Sequence, residues 1–111
     1  MGSKVLVIIS SGDVDKALTG LMYATNALKY KWLDDVEVVF FGPVERLIAK
    51  GDEKLLDAIR EFSKYKRRPL ACKRIAELEG FEDKLREHVE VVYVGSEVSR
   101  LIKAGYIPLV F

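Results

Sequence analysis

The sequence has no glutamine, one asparagine (Asn26), one cysteine (Cys72) and one histidine (His88). A single thiol excludes an internal disulfide and any cysteine-rich zinc site. With one imidazole beside it no conventional ligand set exists, so neither a metal nor a cofactor is expected. Long apolar runs are missing too. The stretch Val5 to Ile9 is too short for a signal-peptide core and far too short to span a bilayer, which leads to the expectation of a cytoplasmic chain without membrane association. A net charge of +1 supplies no bulk attraction to nucleic acid. Few amides beside 32% charged residues is the pattern of proteins from high-temperature organisms, where ion pairs are many and deamidating side chains few, so a thermophile source is expected.

What is present is enough for one core. Half of the 111 residues are hydrophobic, and a chain of this length buries roughly 65% of its unfolded surface. A single domain over residues 1–111 follows. Val5-Leu6-Val7-Ile8-Ile9 is continuously apolar and β-branched, as befits a strand covered on both faces. Asp15 to Lys29 repeats at helical spacing, with Ala17, Leu18, Leu21, Thr25 and Leu28 on one stripe. Val36 to Phe41 reads as strand two, followed by Gly42-Pro43 and a helix from Val44 to Lys50. Asp52 caps a helix with Leu55, Leu56, Ile59 and Phe62 inward. Pro69 to Cys72 is a short third strand, Ile75 to Leu78 a short helix closed by Gly80, and Val89 to Val94 strand four. Ser96 is expected to cap a helix to Lys103, and Tyr106 to Phe111 to form strand five. Strands and helices in alternation predict an α/β fold with a parallel sheet covered on both faces.

Ligands of such sheets lie beyond the carboxyl ends of the strands. That rule selects Ser10-Ser11-Gly12-Asp13, Phe41 to Pro43, Cys72 to Arg74, Gly95 to Glu97 and the C-terminal end. Cys72 stands at a strand end where first-turn amides favour a thiolate. Lys73 and Arg74, placed against the helix dipole, would stabilise an anionic sulfur there. The same thiol would equally serve as a small buried hydrophobe, with the two cations as solvated surface charges. Ser10 to Asp13 fits either an anion-facing turn or a plain turn with a capping Asp or Ser, and it lacks any nucleotide-binding fingerprint. Lys64, Lys66, Arg67 and Arg68 form a basic run without aromatic interleaving, which fits a solvated loop better than an RNA surface. His88 precedes strand four, at the opposite end of the sheet from Cys72, so the two form no catalytic pair. Thr19, Tyr23, Asn26 and Tyr30 occupy the outward face of the first helix, where Tyr23 and Tyr30 suit a subunit contact.

The spacing Cys72, Ala76, Gly80 resembles the DsrE-like family of small sulfur-relay proteins. So do the blocks "KVLVIISSGDVDKAL", "VEVVFFGPVERLIAKG" and "VEVVYVGSEVSRLIKAGYIPLVF", and together the likeness spans nearly the whole chain. The resemblance implies a three-layer α/β/α sandwich around a five-stranded parallel sheet, assembled as a homotrimer or homohexamer. It also implies a persulfide carried on Cys72 and passed between sulfur-donor and sulfur-acceptor proteins, a sulfurtransferase-type activity. Lys73 and Arg74 would then steady the sulfur, with Ser10 to Asp13, Gly42, Pro43, Gly95 and Ser96 as pocket walls. With no second cysteine the persulfide has no partner for an intramolecular disulfide. The alternative is a non-catalytic, oligomeric small-molecule or anion-binding module in which Cys72 only lines the pocket.

Overall fold

The computed structural model describes residues 2–111. Its elements are β1 (Lys4–Ile9), α1 (Val14–Lys29), β2 (Asp35–Phe40), α2 (Val44–Lys50), α3 (Glu53–Ser63), β3 (Leu70–Cys72), α4 (Lys73–Glu79), α5 (Glu82–Arg86), β4 (Glu90–Val92), α6 (Val94–Lys103) and β5 (Ile107–Val110). All five strands are parallel, in the order β4-β3-β2-β1-β5. The α/β architecture read from the sequence is the one observed.

This order dictates where the helices go. Three successive connections step from β1 outward to β4, and the last returns across the sheet to β5 on the far side of β1. Crossovers between parallel strands are right-handed, so reversing the direction of travel moves the connecting helix to the other face. The packing follows. On one face Val5, Val7 and Ile9 of β1 share a core with residues of α1, α2, α3 and α5. On the other, Leu6, Val39, Leu70 and Cys72 meet Val94 and Leu101 of α6, with Ile75 of α4 at the margin. The third layer is thus essentially one helix.

Helix α1 approaches the sheet through small residues. Gly20, Ala24 and Ala27 are buried, and a Cβ on Gly20 would come within 2.9 Å of the Phe111 ring. This close-approach stripe was hidden in the sequence beside the larger Leu18 and Leu28, which are only half-buried.

Several boundaries differ from the sequence expectation, most of them by a residue or two, and the β4–α6 junction by more. Strand β4 stops at Val92 and α6 already begins at Val94, with Tyr93 at its cap, so Gly95 and Ser96 belong to the helix rather than to a loop. Ser96 does not cap; its hydroxyl donates to the Tyr93 carbonyl at 3.2 Å. The buried Val94 packs equally well from a helix or a strand, which is why periodicity extended β4 too far. Helix α5 was not anticipated, because five residues are too few to show a 3.6-residue period.

Candidate functional site

The carboxyl ends of β1, β2 and β3 are brought together by backbone contacts. The Ser10 carbonyl accepts from the Val44 amide at 3.1 Å, linking the turn after β1 to the start of α2. Gly42 has φ +146°, and a Cβ there would lie 2.3 Å from Ser10 Oγ and 2.8 Å from the Ser10 carbonyl. Glycine is required by both space and backbone geometry. Pro43 follows at the cap position of α2, without a side-chain cap bond.

Beside this junction lies a cavity of about 210 Å³, lined by Gly42, Pro43, Arg46, Ile75, Leu78 and Glu79. The Arg46 guanidinium closes one wall through a 2.6 Å ion pair with Glu79. That pair holds the Arg46 pKa above its ordinary value, the hydrogen bond being the main cause and the charge of Glu79 the next. Gly42 and Pro43 were anticipated here; Arg46, Ile75 and Glu79 were not, since nothing in the pattern shows that α2 and α4 meet across the strand ends.

Cys72 is the N-cap residue of α4, at the carboxyl end of β3, as expected. Its thiol makes no side-chain bond to the first-turn amides. The residue is 5% exposed and lies in the core cluster with Leu6, Val39, Leu70, Val94 and Leu101. Ile75 both borders that cluster and lines the cavity, so this side chain joins the thiol's surroundings to the open space. Lys73 is turned elsewhere, its ammonium 5.2 Å from the centroid of the Tyr93 ring. Tyr93 in turn donates to Glu77 at 3.1 Å, which raises its pKa. Arg74 is exposed.

The other anticipated residues lie apart. The amides of Ser10 and Ser11 both donate to the Phe111 carbonyl, at 2.8 and 3.3 Å. Ser11 Oγ accepts from the Asp13 amide, and Asp13 Oδ1 caps α1 through the amides of Asp15 and Lys16. The amides of Ser10 and Ser11 therefore have internal partners, and Gly12 serves the turn. Gly95 and Ser96 are exposed on α6 and stand apart from the cavity beside Gly42 and Pro43. Tyr23 is half-buried and Tyr30 is 57% exposed, both beside Trp32. Among the described residues no cluster of side chains suited to a metal ion occurs.

Half of the basic run is absorbed into the fold, while Lys64 and Arg67 stay exposed. Lys66 pairs with Asp35 and, at 3.1 Å, with Glu37, while Arg68 donates to the carbonyls of Arg86, Glu87 and Val89. Tyr106 completes this network by donating to Asp35. Burial opposes ionisation of Asp35, but the hydrogen bonds from Lys66 and Tyr106 prevail and hold its pKa below the usual value. The Tyr106 phenol is pushed up to about 12, first by burial and then by the Asp35 bond.

One group at the mouth escaped sequence analysis. Glu45 is fully buried; among the described residues its Oε2 accepts only a 3.4 Å contact from the Gly42 amide and its Oε1 has no hydrogen-bond partner. Burial pushes its carboxyl up to about 8, and the nearby charge of Glu79 acts in the same direction. The available signal was its place three residues after Gly42, the spacing at which a glutamate reaches back to a helix-start amide.

No family model matches the chain, and no curated protein matches it in sequence. Solved structures do match in fold. A conserved protein of unknown function from Bacteroides thetaiotaomicron (BT1422) superposes with a TM-score of 0.85 at 22% identity, over 97% of this chain and 95% of that one. A protein of unknown function from Methanobacterium thermoautotrophicum (MTH1491) does so with a TM-score of 0.77 at 19% identity, over 98% and 99%. At these identities the likeness establishes a shared fold. No helix among the described residues is long and apolar enough to cross a membrane.

Proposed function

We propose that this protein carries sulfane sulfur on Cys72 and passes it to an acceptor. The observation that carries the reading is the position of the lone thiol. It sits at a strand's carboxyl end and a helix start, and Ile75 both packs against its cluster and lines the cavity at the mouth. The resemblance of the Cys72-Ala76-Gly80 spacing and its flanking blocks to sulfur-relay proteins supports the same reading. In the loading step the Cys72 thiolate attacks the outer sulfur of a donor persulfide. The donor's S–S bond breaks and the donor leaves as a thiolate. In unloading, an acceptor thiolate attacks the outer sulfur on Cys72, and the Cys72 thiolate leaves. Neither step changes the net oxidation state, and neither needs a cofactor.

With 5% of Cys72 exposed, loading requires Ile75 to swing aside. Ile75→Ala is therefore expected to speed alkylation of Cys72 severalfold under native conditions. Intact mass after treatment with a small-molecule persulfide should rise by about 32 Da, one sulfur atom, on wild type and not on Cys72→Ser. An equal adduct on both proteins, or none on wild type and none on Ile75→Ala, rules the carrier out.

The burial of Cys72 among five apolar neighbours favours a second reading, an oligomeric module that binds a small molecule or anion and uses the thiol only for packing. On that reading Cys72→Ser retains the wild-type assembly and Ile75→Ala leaves alkylation slow.

A further inference from the structure

A groove of about 490 Å³ runs between α1 and α3, more than twice the size of the cavity at the mouth. Leu18, Leu21 and Met22 of α1 form its apolar wall, and Ala58 of α3 leaves the space open because its side chain is a single methyl. Met22 is 59% exposed, an unbranched chain free to adapt to an occupant. The charged groups stand at the two ends. Asp15 is in the first turn of α1 and Glu61 in the last turn of α3. Both helices return from the carboxyl to the amino end of the sheet, so they run side by side and the two acids lie far apart. Glu61 accordingly feels the charge of Lys29, in the last turn of α1. From Asp15 to Asn26, which also lines the groove, α1 rises about 16 Å. Beside Asn26, Thr25 lines the groove and is only 6% exposed. Its hydroxyl makes no hydrogen bond among the described residues, whereas those of Thr19, Ser63 and Ser99 donate to the carbonyl one turn back. The only sealed side-chain oxygen without a partner among those residues is Glu45 Oε1, so the Thr25 hydroxyl opens into the groove.

We infer that this groove binds a linear aliphatic polyamine, with an ammonium at each end and its methylenes along Leu18, Leu21 and Met22. The arrangement of charge selects that occupant. The Asp15 carboxylate has no ion pair among the described residues. Glu61 is paired with Lys64, but the two side chains are 47% and 67% exposed, and a surface pair of that kind is weak enough for an incoming ammonium to replace. An anionic ligand would meet a carboxylate at either end. A plain hydrocarbon would leave Asp15 and the enclosed Thr25 hydroxyl without a partner. An interior amine of the chain answers Thr25 by donating to its oxygen. The volume falls within the roughly 300–1,000 Å³ of small-molecule sites, which combine apolar walls with a few placed polar groups in this way. The net charge of +1 means that the protein as a whole does not attract polycations, so affinity for one reports the groove. Helices α1 and α3 cover the sheet face opposite the Cys72 cluster, which makes this site independent of any chemistry at the thiol.

The test is isothermal titration of the full chain with spermine at low salt, which should show one saturable site per chain. Putrescine is too short to reach both acids and should bind roughly tenfold more weakly or worse, the loss of one charged hydrogen bond. Asp15→Asn leaves the Asp13 cap of α1 in place. It should bring spermine down to the level of putrescine with an unchanged circular dichroism spectrum. Ala58→Leu fills the groove and should abolish the site, and Thr25→Val, equal in shape, should weaken spermine severalfold. No saturable spermine binding, equal affinities for spermine and putrescine on wild type, or a spermine affinity unchanged by either Asp15→Asn or Ala58→Leu overturns the inference.

Discussion

Glu45 shows how a single side chain can set the pH response of the molecule. It is fully enclosed, one carboxyl oxygen has no partner, and its pKa is raised to about 8 against 4.5 for the free side chain. The folded protein therefore holds a proton that the unfolded chain releases. The linkage has a definite sign: this contribution to stability is complete below about pH 4.5 and is lost as pH rises toward 8, beyond which it is flat. Shifted over that interval, the loss is on the order of 5 kcal/mol. Glutamine keeps the shape and cannot ionise. Urea unfolding at pH 5 and at pH 8.5 should accordingly show wild type losing several kcal/mol more than Glu45→Gln between the two conditions. Parallel losses would mean that Glu45 finds a cation or solvent when charged. Gly42, whose amide donates a hydrogen bond to this carboxyl, has no room for a Cβ against Ser10, so the site's neutral acid and its tight turn depend on one another.

Helix α6 is the element on which one whole face of the sheet depends. Leu6, Val39, Leu70 and Cys72 are covered from one side mainly by its Val94 and Leu101, whereas the opposite face is shared among five helices. Leu101→Ala should cost about 2–5 kcal/mol, since few neighbours can collapse into the space. It should also open the surroundings of Cys72, so urea unfolding and thiol alkylation are expected to change together. A destabilised variant whose Cys72 alkylates no faster would show that access runs elsewhere. The same two-sided burial decides what was legible in the sequence. Val5 to Ile9 is apolar throughout, and Val36 to Phe40 is apolar except for Glu37, because helices meet both sides of the sheet, so strands, order of elements and the α/β class could be read directly. Cys72 was placed correctly at a strand end by chain order alone. Its enclosure was not readable, because Leu6, Val39 and Leu101 come from distant parts of the chain. Arg46, Glu79 and Glu45 were missed for the same reason: ion pairs and orphaned oxygens arise from the meeting of α2 with α4, and neither helix carries a pattern that announces the other. Ser96 looked like a helix cap by residue type, but the helix starts earlier, at Val94, where an apolar side chain fills the space against Leu6 and Leu70.

The molecule as a whole is compact, and its weak side is local. The Cα radius of gyration is 12.9 Å, against about 13 Å for a folded chain of this length, so the bareness of β5 does not reflect a loose fold. Strand β1 lies between β2 and β5, and the β1–β2 ladder runs the full length from Lys4–Asp35 to Ile9–Phe40, buried on the α1 side and at least half-buried on the other. Strand β5 is held by its ladder to β1, by the Tyr106 bond to Asp35 and by Phe111 against Gly20. Cooperative units open in order of how little apolar surface they bury. Amides of β5 and α6 should therefore exchange through a partial opening, at least roughly tenfold faster than those of β1 and β2. Uniform protection across all five strands would mean that the ladder to β1, the Tyr106 bond and Phe111 hold β5 as firmly as two covered faces hold its neighbours.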